Sequence, residues 1–67
     1  MRAVEAYLSR RAQTAWPGAV VYREDDGRFL LERPSLEAVQ LGATFPEAKR
    51  ALLVLIAAAR AQPDRLP

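Results

Sequence analysis

Two short runs rich in branched and aromatic residues, Ala19–Glu24 and Arg28–Arg33, are joined by Asp25-Asp26-Gly27, and this junction constrains the chain more than any other stretch. Asp and Gly both tolerate the positive φ that a tight reversal demands, so Asp-Gly between two apolar runs predicts a β-hairpin. Along the second strand Phe29 and Leu31 share one face and Leu30 and Glu32 the other, and Pro34 ends it or places it near an edge. In Glu37–Leu41, Val39 and Leu41 alternate with Ala38 and Gln40 and Gly42 closes the run, which predicts a third strand. Returning beside the hairpin, it completes a three-stranded antiparallel sheet over residues 19–42.

The flanking segments have helical spacing. In Met1–Trp16 the apolar residues Val4, Tyr7, Leu8, Ala12, Ala15 and Trp16 recur with Arg2, Glu5, Ser9 and Gln13 between them, and Pro17-Gly18 stops the helix. After the sheet, Thr44-x-x-Glu47 has the form of a capping box. The Thr44 hydroxyl accepts from the third amide of the helix, Glu47 reaches back to the Thr44 amide, and Pro46 has no proton to lose in the first turn. This helix spans 44–61, ahead of Pro63 and a polar tail at 62–67. Phe45, Ala48, Leu52, Leu55, Ile56 and Ala59 form the stripe that covers the sheet. The expected architecture is an α+β fold of order α-β-β-β-α, one domain over 1–67.

Composition matters because of size. A 67-residue chain buries only about 60% of the surface its unfolded form exposes, so it needs a further source of stability. With neither Cys nor His there is no disulfide and no Cys/His zinc site, which leaves oligomerisation. Leu53, Val54 and Ala57 lie outside the sheet-facing stripe. Alanine needs no reason beyond helix propensity, and the first helix could cover the other two. Otherwise they face a second subunit together with Tyr7, Leu8 and Trp16, in a homo-oligomer, dimer or tetramer.

The same absences bear on chemistry. Ser9, Thr14, Ser35 and Thr44 have no imidazole to activate them, and there is no thiol, so no enzymatic activity, cofactor or metal is expected. The apolar run Ala51–Ala59 is nine residues long, against about 20 for a membrane span. Arg2, Glu5 and Arg10 interrupt anything like a signal peptide, and the lack of cysteine fits a reducing cytoplasm.

Charge is uneven along the chain. Residues 1–16 and 44–67 each carry a net +2, and residues 17–43 carry −2. Without a basic stripe, nucleic-acid binding is not the first expectation; the alternative is a small oligomer whose paired first helices bring Arg2, Arg10 and Arg11 to phosphates. Glu24, Asp25, Asp26 and Glu32 are the one acidic cluster. Two-metal catalysis needs carboxylates converging on ions about 4 Å apart, whereas successive side chains at a hairpin tip diverge. A solvated turn is the plain explanation of these acids, and a contact to a basic partner is the functional one. Gly42-Ala43-Thr44 presents free amides at a helix start, and is read as a cap.

From Tyr22 onward the order Asp26-Gly27-x-Phe29-x-x-Glu32-x-Pro34-x-Leu36, then Gly42-x-Thr44-x-x-Glu47-Ala48-x-x-x-Leu52 and Ile56, resembles the HicB-like antitoxin family. These proteins are the inhibitory half of bacterial HicA and HicB toxin-antitoxin modules. The resemblance covers residues 20–60. It departs at Glu37-Ala38-Val39, where the family often has a second proline followed by glycine, and in the added N-terminal helix. It implies a truncated ribonuclease-H-like β-β-β-α layer without a nuclease site, and a single-domain member lacking the DNA-binding domain of fuller relatives. It further implies that the acidic sheet and hairpin surface binds a small basic HicA-like ribonuclease toxin, with an orphan interaction domain that has no toxin as the alternative.

Overall fold

The computed structural model describes residues 2–61, so the tail expected at 62–67 lies outside the described residues. Its elements are α1 (Ala3–Gln13), β1 (Val20–Arg23), β2 (Phe29–Glu32), β3 (Val39–Gly42) and α2 (Phe45–Arg60). This is the α-β-β-β-α order and the α+β class expected. The sheet is antiparallel with order β1-β2-β3, so β2 is central and Pro34 lies beyond its end.

The hairpin reverses through Glu24–Gly27. The Gly27 amide donates to the Glu24 carbonyl at 2.8 Å, and Glu24 N–H donates to the Arg28 carbonyl at 2.8 Å. Gly27 has φ +90° and open space where a Cβ would stand, so its backbone conformation alone calls for glycine. Val21 pairs with Leu31 and Tyr22 with Leu30. Between β2 and β3 the register shifts, from Leu30 opposite Gln40 to Phe29 opposite Gly42, which leaves an extra residue on β3. Gly42 at φ +136° makes this bend possible, and a Cβ there would stand 2.9 Å from that of Glu47.

Both helices pack on the same side of the sheet. Val21, Phe29, Leu31 and Leu41 project inward to meet Leu8 and Ala12 of α1 and Ala48, Leu52 and Ile56 of α2. The period of two in the strands and the period near 3.6 in the helices thus converge on one core. α1 runs beside α2, with the Tyr7 and Phe45 rings 6.0 Å apart near one end and Arg60 Nη2 donating to Thr14 Oγ1 at 3.2 Å near the other.

Each element is shorter than or offset from its expected span, β3 starting at Val39 instead of Glu37, and the helix ends show why. α1 ends at Gln13 instead of Trp16: the Thr14 hydroxyl donates back to the Arg11 carbonyl at 2.7 Å, and residues 14–18 continue as turns. At the start of α2, Thr44 Oγ1 accepts from Glu47 N–H at 3.3 Å as expected, but the Glu47 carboxylate accepts from Ala43 N–H at 3.0 Å, one residue earlier than Thr44. The bend at Gly42 brings Glu47 against this stretch.

Candidate functional site

Because both helices take the inner side, the outer side of the sheet is bare. Val20, Tyr22, Leu30, Glu32 and Gln40 project there, with Arg28 and Glu24 at the hairpin end. Val20 is 36% exposed, and Tyr22 and Leu30 are half-buried by their neighbours. Diagonal cross-strand contacts order the polar groups. The Tyr22 hydroxyl donates to Glu32 Oε2 at 3.4 Å, and Arg28 Nη1 donates to Gln40 Oε1 at 3.4 Å. Partial burial, then the charges of Glu32 and Glu24, raise the Tyr22 pKa above its ordinary 10.0.

The four acids do not form one cluster. Asp25 and Asp26 are exposed at the tip, where Asp26 Oδ1 accepts from Arg28 N–H at 3.0 Å. Glu32 lies at the far end of β2, opposite Val20. Glu24 and Glu32 stand on either side of Tyr22 along the outer face. Among the described residues no three acids converge as a metal site would require. What the acids offer is a negative margin around an aromatic and aliphatic centre.

The residues expected at an oligomer contact are divided by the fold. Leu8 is 0% exposed in the core of its own chain and has no surface to offer, a correction that follows from α1 lying over β1. Tyr7 packs on Phe45, and the Arg33 guanidinium lies 5.0 Å from the centre of the Trp16 ring. Leu53 is half-buried, one turn from Lys49, whose Nζ lies 5.9 Å from the Tyr7 ring centre, so it sits on the flank of α2 that faces α1. Ala57 is exposed, and Val54 is 63% exposed on the opposite flank.

Two features escape a reading of the sequence. Ser9 Oγ accepts from Val21 N–H at 2.8 Å and lies 3.2 Å from the Val21 carbonyl, to which it donates. Gln13 Nε2 donates to the Ala19 carbonyl at 2.9 Å. α1 thereby occupies the outer edge of β1, and nothing in its amphipathic pattern signals this. The second is a groove of about 540 Å³ between β3 and α2, where Ala51, Val54 and Leu55 face Val39 and Leu41. Its signal was the spacing of residues 47, 50, 51, 54 and 55, a second helical stripe. Among the described residues no helix is long and apolar enough to cross a membrane. Comparison with family models, curated proteins and solved structures finds no match.

Proposed function

We propose that the chain is a protein-binding module, a HicB-like antitoxin or an orphan relative of one, that works as a homo-oligomer and holds a small basic HicA-like ribonuclease toxin on the outer face of its sheet. The bare outer face carries this proposal. Val20, Tyr22 and Leu30 supply an apolar centre, while Glu24, Glu32 and the tip residues Asp25 and Asp26 supply negative charge around it. Burying such a centre stabilises a complex, and the surrounding carboxylates steer a basic partner into register.

The test is co-expression with a small basic HicA-like protein encoded beside this chain. A stable complex lacking ribonuclease activity is the expected result. Asp25→Lys with Asp26→Lys then slows association about tenfold at low salt, since charges at the margin of an interface act mainly on encounter. No association of any such pair at low salt overturns the antitoxin role, and an unchanged association rate removes the hairpin tip from the interface.

A further inference from the structure

The two edges of the sheet differ. On β1 the outward N–H and C=O of Val21 and the Ala19 carbonyl are taken up by Ser9 and Gln13 of α1. β3 has no such cover. Antiparallel pairing alternates the direction in which successive residues turn their N–H and C=O groups. Val21 turns both outward to Ser9, so Leu31, opposite it, bonds towards Val39, and the next residue along, Gln40, turns its N–H and C=O to the free edge. Among the described residues no side chain bonds either group. The strand Val39-Gln40-Leu41-Gly42 also lacks the proline or charge that commonly blunts an edge. Against this edge lies the apolar groove on α2, and the charged residues lining it are Glu47 and Arg50.

We propose that a second copy of the chain fills this groove, with the two β3 strands paired antiparallel about a two-fold axis at Gln40 to make one six-stranded sheet. Only the homo-oligomer part of the function proposed above underlies this, not the toxin. The strand is its own complement. Symmetry makes the two Gln40 residues exchange both of their backbone hydrogen bonds and sets Val39 across from the partner's Leu41, apolar against apolar on the inner side. Charge favours a copy over an unlike partner, because the groove holds one acid and one base, and a two-fold contact can set each against its opposite. The exposed Val54 gains cover from the neighbouring α2 in the same step.

Sedimentation equilibrium on the full chain, from micromolar to millimolar concentration, tests this. The expected result is a dimer whose dissociation constant rises about 100-fold or more with Val54→Glu, which puts a carboxylate where the contact buries an apolar side chain. Val54 lies outside the core, so the variant keeps the circular dichroism of the wild type. Gln40→Pro, which removes the outward N–H, has the same effect on association. Hydrogen exchange at the Gln40 amide is slow in the dimer and fast in the Val54→Glu monomer. A wild-type chain that stays monomeric overturns this interface and the homo-oligomer together. A dimer indifferent to both substitutions, with Gln40 exchanging freely, overturns the interface alone and leaves an oligomer built elsewhere.

Discussion

A buried backbone amide or carbonyl without a partner costs about 1–3 kcal/mol, and at the β1 edge one small hydroxyl meets that demand for both groups of Val21. Ser9→Ala is therefore expected to destabilise the fold by about 2 kcal/mol in urea unfolding, mostly as a lower midpoint. Thr14→Ala, which removes an exposed hydroxyl with its bonds to the Arg11 carbonyl and from Arg60, is the surface control and should cost under about 0.5 kcal/mol. Equal losses for the two would mean that Ser9 does not hold the edge. In sequence Ser9 is one polar residue among several on an amphipathic helix. Its role depends on where α1 lies relative to β1, which no local pattern encodes.

At the level of elements, the strand pattern and the antiparallel pairing could be read from the sequence, and the register could not. Alternation along 28–32 already separated Leu30 and Glu32 from Phe29 and Leu31, and the structure buries the latter pair. The diagonal contact between Tyr22 and Glu32 needed the register. That contact has a consequence for pH. Folding raises the Tyr22 pKa, so the native chain holds this proton to higher pH than the unfolded chain does. The contribution to stability is complete below the phenol's ordinary 10.0 and falls as pH rises through that value towards the folded one. Ultraviolet titration should show Tyr22 ionising at higher pH in the native chain than in denaturant, and Glu32→Gln should move its native midpoint down. A midpoint unmoved by that substitution would show that Glu32 makes no contribution.

For the whole molecule, the small size of the chain and its two unequal sheet edges point the same way. A two-state dimer gains stability by mass action, so the melting temperature should rise with protein concentration in the wild type and become independent of it in Val54→Glu. A concentration-independent wild-type melting curve would argue for a monomer. The amino-acid sequence alone sets the number, kind and order of the elements, because hairpin chemistry at Asp26-Gly27, the Thr44 cap and the two periodicities are local. It also supplied Glu24, Asp25, Asp26 and Glu32 as the acids, but not their separation into a tip and a far end. Packing in three dimensions puts both helices on one side of the sheet, makes Leu8 core, lays α1 along the β1 edge and leaves β3 open beside Val54. These last depend on which apolar stripe meets which surface, a choice made by packing among residues far apart in the chain, where the hydrophobic effect is indifferent to sequence order.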